Sequence, residues 1–349
     1  MIRIGIIGTG GMARVHAEEF SKIASCEVVA ACDLNASRLA SFVEAHNIPY
    51  AFGSVEALLS SGQVDAVSIV TPDPFHKDLS IQALEAGMHV LCEKPLALNA
   101  SDAKEMADAA KKAQCINMVN LSYRNAHSLQ KARELIAMGR IGNIRHVEAS
   151  YLQSWLVSPK WGDWKTEDTW LWRLSSAHGS KGVLGDVGVH ILDFVRFPVG
   201  EFASVHCTLT TFDKAENNQI GEYHLDANDS ALITARMQNG AMASIHASRW
   251  ASGNLNDLRL VVHGDKGAVK VSLKLDQEWN QLEVCLDEDV IDGVWKTIKC
   301  QSTPNIYQRF VSSILSGNQE QPDFDAGLQV QKVLDACEQS DQLDQTVQL

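Results

Sequence analysis

The feature that most constrains the fold is a glycine-rich run that follows an apolar segment at the start of the chain. The apolar segment, Ile2–Ile7, is typical of a buried β-strand. The run matches the pattern G-x-G-x-x-G/A and consists of Gly8, Thr9, Gly10, Gly11, Met12 and Ala13. In this pattern the first glycine permits a tight turn, the second lets a pyrophosphate approach the backbone, and the small last residue lets a helix pack on the strand. The run therefore predicts a strand–turn–helix unit that holds a dinucleotide at the helix N-terminus.

An acidic residue, Asp33, ends the second predicted strand, at roughly the distance from the glycine run that the pattern requires, about 20 residues. Its carboxylate would accept hydrogen bonds from the adenosine ribose diol and would repel a 2′-phosphate. We therefore expect NAD as the cofactor, with NADP less favoured. Arg38 keeps the alternative open, because its guanidinium could reach a 2′-phosphate if Asp33 turned aside. Asp33 could also cap the second helix, and the two roles are compatible.

Apolar runs alternate with helical patterns through residues 1–120. The runs lack polar alternation, which is typical of strands that are covered on both faces, so a doubly wound parallel sheet is expected. The predicted strands are Ile2–Ile7, Val28–Ala31, Ala66–Val70, His89–Cys92 and Ile116–Val119. The predicted helices are Met12–Ala24, Ala36–His46, Phe75–Ala86 and a segment from about Ser101 to Lys112. These elements predict an α/β domain of the Rossmann type over residues 1–120.

The pattern changes over residues 121–349 and predicts an α+β domain. Expected elements are a helix at Ser128–Met138, a strand at Ile144–Leu152, a helix around Val187–Phe194 and a last helix around Gly327–Gln339, which could pack back on the first domain. From Val205 to Val284 the residues alternate as in an antiparallel sheet, with turns at Asn239-Gly240 and 264–267.

Composition excludes several classes of protein. The 43 acidic residues outnumber the 30 basic ones and give a net charge of −13, which disfavours nucleic acid and anionic membranes as partners. The N-terminus lacks the features of a signal peptide, and no apolar stretch approaches the ~20 residues of a membrane span. Eight scattered cysteines without a C-x-x-C pair indicate reduced thiols. We expect a cytoplasmic globular protein.

The turn after the predicted strand Ala66–Val70 contains Thr71 and Pro72, and His76 follows it. This turn lies at the expected topological switch point, where open α/β sheets bind ligands. His76 could approach the nicotinamide, although a histidine that packs a helix is at least as plausible a reading.

At Glu93-Lys94-Pro95 the sequence resembles the glucose–fructose oxidoreductase, inositol dehydrogenase and rhizopine-catabolism family, often called Gfo/Idh/MocA. The resemblance covers nearly the whole chain. It rests on the glycine run and on Thr71-Pro72 with His76, Ala86–Val90, Gly139–Gly142, Gly185–His190 with Asp193, Asn239-Gly240, Gly264–Gly267 and Asp325–Leu334. One departure is Asp73, where the family commonly has asparagine. The resemblance implies a large open antiparallel sheet in the second domain, commonly used for dimer or tetramer contacts.

The resemblance also implies a catalytic trio, which corresponds here to Lys94, Asp186 and His190. Lys94 follows a predicted strand at the carboxyl edge of the sheet, where an ammonium group could hydrogen-bond the reacting oxygen. Asp186 and His190 share a face if their segment is helical, so that His190 can act as general base while Asp186 orients it. Glu93 and Lys94 would also border the cofactor. An aspartate–histidine pair is more often a surface hydrogen bond, and Lys-Pro is often only a turn. No third ligand accompanies His190 and Asp193, so no metal is expected.

Five tryptophans lie between Trp155 and Trp172, and flat indoles stack on the apolar faces of sugar rings. Most of them could instead fill a core or a subunit interface. Gln153 and Arg173 could hydrogen-bond sugar hydroxyls. Tyr123 and Arg124, near the domain junction, could face the substrate or act as a hinge.

These observations favour an NAD-dependent oxidoreductase that acts on a secondary hydroxyl of a cyclic sugar, a sugar derivative or an inositol. One alternative is reduction of a keto-sugar with NADP(H), or oxidoreduction with a retained cofactor. Another is a non-catalytic dinucleotide sensor that regulates a partner. Retention of Lys94, Asp186 and His190 argues against the sensor, since a sensor needs only the glycine run.

Overall fold

The structure is a computed structural model that describes residues 1–274 and 279–349. The chain forms two compact units. The first consists of Met1–Ser122 and Pro304–Gln331, and the second consists of Tyr123–Thr303 and Lys332–Leu349. Residues 304–331 thus belong to the unit that begins the chain.

Residues 1–122 form a parallel sheet with helices. Strands β1 to β6 are Ile2–Ile7, Cys26–Cys32, Tyr50–Phe52, Ala66–Ile69, His89–Cys92 and Asn117–Val119. Helices α1 to α5 are Gly11–Ser21, Ala36–His46, Val55–Ser60, His76–Glu85 and Ala100–Ala113. The strand order is β3-β2-β1-β4-β5-β6 and every neighbouring pair is parallel, which confirms the predicted doubly wound sheet. The order reverses between β1 and β4, which is the switch point where such sheets bind ligands.

Residues 123–303 contain the second sheet and its helices. Helices α6 to α9 are His127–Ala137, Asp168–Leu171, Val189–Val199 and Asp289–Asp292. Strands β7 to β16 are Ile144–Gln153, Phe202–Thr210, Gln219–Ile220, Tyr223–His224, Ser230–Met237, Met242–Ser248, Asn256–Gly264, Gly267–Lys274, Trp279–Leu286 and Lys296–Ile298. The chain ends with α10 at Ile306–Ser316, α11 at Phe324–Leu343 and β17 at Val347–Gln348.

Within the described residues of the second unit, nine strands form one open sheet in the order β16-β15-β14-β13-β7-β12-β11-β8-β17. All neighbours are antiparallel except β7 and β12, which run parallel. The predicted large open antiparallel sheet is therefore confirmed, with one parallel pair at its centre. Residues alternate between buried and exposed along β11 and β12, as expected for a sheet with one covered face.

The helix that carries His190 differs from its prediction. It was expected around Val187–Phe194, whereas α8 begins at Val189 and continues to Val199. A single π-helical turn, Leu184–Gly188, precedes it and contains Asp186. Such wider turns are rare and occur frequently at functional sites.

In the described part of the chain, no helix is long and apolar enough to cross a membrane.

Candidate active site

The glycine run forms the turn between β1 and α1 that its pattern predicts. Gly8 has φ of +90°, and a Cβ atom there would lie 2.8 Å from the carbonyl oxygen of Val70, so only glycine fits. A Cβ atom on Gly10 or Gly11 would meet no atom within 4 Å. Gly10 also caps α1 without a side-chain hydrogen bond. The turn therefore presents an open helix N-terminus, which suits a pyrophosphate.

The neighbouring members of the run have different surroundings. Ala13 is fully buried in the same cluster as Ile6, so the helix approaches the strand closely. Met12 is half exposed at the start of α1. Thr9 is buried, and its backbone N–H and its hydroxyl both donate to Asp33 Oδ2, at 2.8 and 2.7 Å. Thr9 therefore holds Asp33 beside the glycine turn.

Asp33 is buried and forms a fork-shaped ion pair with Arg38. Arg38 Nε donates to Oδ2 at 3.0 Å and Nη2 donates to Oδ1 at 2.8 Å, while the N–H of Asn35 donates to Oδ1. Burial would raise the pKa of Asp33, but the hydrogen bonds from Arg38, Asn35 and Thr9 outweigh burial and hold this pKa well below its usual range. A carboxylate has about four lone-pair sites, and these donors occupy them. A ribose diol can therefore bond Asp33 only if the exposed Arg38 side chain withdraws.

The turn after β4 offers one polar atom to a ligand. Thr71 Oγ1 is buried and has no hydrogen-bond partner among the described residues. It lies at the carboxyl end of the strand beside the switch point, and Pro72 next to it is exposed. A buried hydroxyl of this kind needs a partner. Together with the open turn at Gly10 and Gly11, it shows that the first unit fits a bound dinucleotide.

His76 contacts backbone rather than open space. Its Nδ1 lies 2.8 Å from the carbonyl oxygen of Pro95 and its Nε2 lies 2.9 Å from that of Thr71. Because both partners only accept hydrogen bonds, both ring nitrogens must donate, and the ring is then an imidazolium. Burial alone would lower the pKa of His76, but Cys92, Asp73 and the Pro95 carbonyl raise it to about 10. His76 thus joins the turn after β4 to the turn after β5, and we leave it out of the proposed cofactor contacts.

Lys94 lies in the turn after β5 and is partly buried. Its backbone N–H donates to Oε2 of the preceding residue, Glu93, at 3.1 Å. The other Glu93 oxygen, Oε1, contacts Nε2 of His16 at 2.8 Å and accepts from Nδ2 of Asn120 at 2.5 Å. Glu93 therefore faces a buried polar cluster, and its carboxylate fixes the turn that carries Lys94.

In the second unit His190 is buried between two tyrosines. Its ring centroid lies 4.5 Å from that of Tyr123 and 6.3 Å from that of Tyr151. The two tyrosine hydroxyls are 3.1 Å apart and within hydrogen-bond distance. Burial, followed by the nearby Tyr123, raises the pKa of Tyr151 well above its usual value. The Tyr151 hydroxyl therefore stays protonated, and the two tyrosine rings lie beside the imidazole.

Asp186 is held by an arginine that the sequence analysis did not identify. Nη2 of Arg249 donates to Asp186 Oδ2 at 3.0 Å, and its Nη1 donates to the carbonyl oxygen of Arg173 at 3.0 Å. The Arg249 side chain has no exposed surface, whereas 36% of the Asp186 side chain is exposed. Arg249 also lies over the Trp155 ring, 5.0 Å from its centroid. Asp186 is thus an anchored carboxylate with one accessible side.

Arg124 takes part in a buried ion pair. It is buried and forms an ion pair with the buried Asp193, with Nε 3.0 Å from Asp193 Oδ2. Its guanidinium also lies 4.7 Å from the centre of the Phe197 ring. These contacts tie Arg124 to helix α8, and its role toward a substrate or as a hinge stays a prediction.

The tryptophan segment divides into buried and exposed members. Trp155 and Trp164 are each 5% exposed and belong to one apolar cluster. Trp172 is 40% exposed, and the Arg173 guanidinium lies 4.6 Å from its ring centre. The core interpretation therefore applies to Trp155 and Trp164, whereas Trp172 is exposed and carries the Arg173 guanidinium over its ring.

Gln153 is engaged inside the sheet. Its Nε2 donates to Asn256 Oδ1 at 3.0 Å, and its Oε1 accepts from Trp155 Nε1 at 3.2 Å. Gln153 therefore orients the Trp155 ring, and each end of its amide keeps the capacity for one more hydrogen bond.

Two site residues have no local sequence signal. His16 lies inside α1 and Arg249 follows β12, and neither belongs to a recognised motif. Their partners Glu93 and Asp186 are far along the chain, so only the tertiary fold reveals the pairs. In residues 1–274 and 279–349, no three histidine, cysteine, aspartate or glutamate side chains are grouped to hold a metal ion.

Comparison with known proteins gives consistent matches over both units. Residues 2–121 match the GFO/IDH/MocA oxidoreductase family model with an NAD-binding Rossmann fold, and residues 129–270 match that family's C-terminal domain. Levoglucosan dehydrogenase of Pseudarthrobacter phenanthrenivorans is 27% identical over 315 residues, which cover 83% of this chain and 78% of that protein. The 1,5-anhydro-D-fructose reductase of Ensifer adhaerens is 30% identical over 276 residues, covering 77% of this chain and 75% of that protein.

A solved structure gives the same result. Levoglucosan dehydrogenase in complex with NADH and levoglucosan aligns with a TM-score of 0.86 at 25% identity, covering 100% of this chain and 99% of that chain. The glycine turn, the Lys94 turn and both family matches lead to one assignment: the chain belongs to the GFO/IDH/MocA oxidoreductase family, with an NAD-binding Rossmann fold at its N-terminus.

Proposed function

We propose that this protein is an NAD-dependent dehydrogenase that transfers a hydride between a secondary hydroxyl of a cyclic sugar, sugar derivative or inositol and the nicotinamide. The observation that carries the proposal is the position of Lys94 at the carboxyl end of β5, in the parallel sheet whose first turn is the open glycine run. A ligand at the switch point of such a sheet lies along these carboxyl ends. An ammonium group there is suited to a reacting oxygen.

The chain's residues have separate roles in the proposed reaction. The bound nicotinamide supplies the hydride acceptor. Lys94 donates a hydrogen bond to the reacting oxygen and stabilises its developing negative charge. His190 takes the hydroxyl proton as general base, since an imidazole titrates near neutral pH. Asp186, anchored by Arg249, supports the charge that His190 acquires.

The sugar class of the substrate is supported by an exposed stacking surface. The Trp172 ring is 40% exposed and suits the apolar face of a pyranose ring, and the Arg173 guanidinium, 4.6 Å from the ring centre, can donate to sugar hydroxyls. The named activities of similar proteins, a levoglucosan dehydrogenase and a 1,5-anhydro-D-fructose reductase, also concern anhydrosugars. We therefore propose a cyclic sugar or anhydrosugar as the first substrate to test, with inositols next.

A second candidate, reduction of a keto-sugar with NADPH, is favoured by one observation. The Arg38 side chain is 53% exposed beside Asp33 and offers a positive charge to a 2′-phosphate. The ion pair does not remove the negative charge of Asp33, which would repel a 2′-phosphate. NAD therefore remains the proposed cofactor.

We also propose that the protein forms a homodimer or homotetramer through the open face of the second unit's sheet. Support comes from Leu232 and Met242, large apolar side chains that are 64% and 55% exposed on β11 and β12. Light scattering would measure the mass in solution, and Leu232→Lys should lower it. A monomeric wild-type protein would contradict the proposal.

The test of the main proposal is a screen followed by two variants. Purified protein with NAD would be assayed against pyranoses, anhydrosugars and inositols at the NADH absorbance. Lys94→Ala and His190→Ala should each lower kcat by ~10²–10⁴, the usual contribution of a positioned acid–base group. Binary NAD affinity, measured by calorimetry, should change much less. Near-wild-type turnover in His190→Ala would remove it as the base, and NAD binding without turnover of any polyol would favour the sensor.

A further inference from the structure

His16 is a fully buried histidine on α1, five positions after the start of that helix at Gly11. Both of its ring nitrogens have polar partners on other elements. Nδ1 lies 2.7 Å from the hydroxyl of Ser68 on β4, and Nε2 lies 2.8 Å from Glu93 Oε1 after β5. The imidazole therefore connects α1 to two strands at the centre of the sheet.

The Nε2 atom of His16 must carry a hydrogen, because an ionised carboxylate can only accept. Burial would raise the pKa of Glu93, but the hydrogen bond and charge of His16, then Lys94 and Asn120, lower it to about 2. Glu93 is therefore an ionised carboxylate with little exposed surface. The Ser68 hydroxyl lies within hydrogen-bond distance of Nδ1, so both ring nitrogens are engaged.

The ring of His16 has little freedom to turn away from Glu93. The Tyr307 ring of α10 packs against it edge-on, with centroids 5.0 Å apart and planes at 84°. Asn120 Nδ2 lies 3.4 Å from His16 Nε2 and bonds the same Glu93 oxygen. An apolar side chain would fill this space without the cost of burying a charge. Packing alone thus gives no reason for a carboxylate here.

The remaining oxygen of Glu93 accounts for the arrangement. Oε2 accepts the backbone N–H of Lys94, at 3.1 Å, so the carboxylate that His16 orients also sets the backbone direction of Lys94. The chain of contacts runs from α1 through His16 and Glu93 to Lys94. Each step is a hydrogen bond between buried or partly buried groups.

We propose that His16 is a positioning residue that fixes ionised Glu93 and, through it, the Lys94 turn. The inference rests on the proposed function in one respect, that Lys94 acts on the reacting oxygen. His16 itself has no exposed surface, so it would act on Lys94 only through Glu93. Because it belongs to the helix that begins at the glycine turn, it also ties the position of Lys94 to the element that holds the pyrophosphate.

The test compares His16→Gln, His16→Leu and Ser68→Ala with His89→Leu as the control. His89 is a half-buried histidine of the same sheet whose Nδ1 accepts the N–H of Ile116, so it reports the general cost of losing a histidine bond. His16→Leu should lower kcat about 10- to 100-fold, the size of effect expected from a small misplacement of a reacting group. KM for NAD should change less than threefold. His16→Gln retains a donor and should recover part of kcat, while His89→Leu should keep wild-type kcat.

A second readout does not depend on turnover. In the cofactor-free protein, ¹³C NMR of the Glu93 carboxyl should show its pKa rising in His16→Leu, and the Lys94 amide proton should shift upfield as its hydrogen bond weakens. Ser68→Ala removes only the far partner of the ring and should produce smaller changes in the same direction. Unchanged Glu93 titration and Lys94 amide shift in His16→Leu would overturn the inference, as would equal kcat losses in His16→Leu and His89→Leu. If the wild-type protein oxidises no polyol, these spectra still decide the role of His16, and only the proposed function fails.

Discussion

Arg249 Nη2 lies 3.0 Å from Asp186 Oδ2, which joins a guanidinium with no exposed surface to a carboxylate that remains partly accessible. The arginine also donates to the carbonyl oxygen of Arg173 and lies over Trp155. The buried Arg249 side chain therefore fixes the orientation of Asp186 and contacts Trp155, which begins the segment that contains Trp172. Its planar fork suits several acceptors at once, and lysine cannot reproduce this geometry.

Replacing Arg249 should impair turnover more than cofactor binding. Arg249→Lys keeps the positive charge but loses the planar guanidinium. We expect kcat to fall on the order of 10-fold, because loss of a residue that orients a functional group typically costs about 10- to 100-fold. NADH affinity, measured by fluorescence titration, should remain within threefold. Arg259→Lys is the matched control on the exposed face of β13 and should behave as wild type. An unchanged kcat in a folded Arg249→Lys variant would contradict the orienting role.

Cofactor preference should change in opposite directions at Asp33 and Arg38. Arg38→Ala removes the cation that occupies the carboxylate, so NAD should bind more tightly and NADP less tightly, which raises the NAD:NADP ratio of kcat/KM. Asp33→Ser removes the repulsion of a 2′-phosphate and should lower the ratio on the order of 10-fold, about 1.4 kcal/mol. Steady-state kinetics with both cofactors would measure these ratios, with Lys104→Ala as the control for a lost surface charge. A wild-type kcat/KM that is higher with NADP would be incompatible with NAD preference.

His76 should remain protonated well above neutral pH. Its pKa in the folded protein, about 10, exceeds the usual value of about 6.5 for an unfolded histidine. Its contribution to the free energy of unfolding is therefore complete below about pH 6.5 and is lost as the pH rises through about 10. At pH 8, ¹⁵N NMR should show hydrogens on both ring nitrogens, and His76→Gln should flatten the pH dependence of urea unfolding between pH 7 and 10. A neutral ring at pH 8 would show that one carbonyl contact is not a hydrogen bond.

Substitution of a buried tryptophan should lower the stability of the fold, whereas substitution of the exposed Trp172 should weaken sugar binding. Trp164→Ala should destabilise the fold by about 3–5 kcal/mol, since it empties space in a buried cluster. Trp172→Leu removes an exposed stacking surface and should raise the sugar KM up to about 10-fold while leaving the melting temperature nearly unchanged, because such contacts contribute about 1 kcal/mol. Calorimetry and substrate kinetics on both variants would check this. Loss of stability with unchanged KM in Trp172→Leu would instead assign it to the core.

Local patterns were sufficient for the elements that carry the cofactor site. The bounds of β1 and of α2 agree with their predictions at both ends. The glycine turn follows β1 and the Asn35 cap precedes α2, and both are strong local signals. The short elements β3 and α3 were not predicted, since three to six residues give too little periodicity. The parallel pairing of β7 with β12 was also missed, because no local pattern reports strand direction.

The candidate site was predictable only where a motif defines it. Lys94 and the glycine run have local signals, whereas the partners that orient the site lie far away along the chain. Asp186 with Arg249 and His16 with Glu93 are such pairs, and a single sequence contains no record of either contact. The same limitation applies to the buried ion pair of Arg124 with Asp193, which no local pattern reports.

Helix α10 affects how the first unit can be assembled during synthesis. Its apolar side chains complete a cluster on one face of the parallel sheet that includes Ile4, Phe20, Leu91 and Met118. When the ribosome has released only residues 1–122, helix α10 is still about 180 residues away along the chain. At roughly 5–20 residues per second, this face of the sheet stays uncovered for about ten seconds or more. Until α10 has emerged, the nascent nucleotide-binding half therefore exposes an apolar face of the kind that chaperones shield.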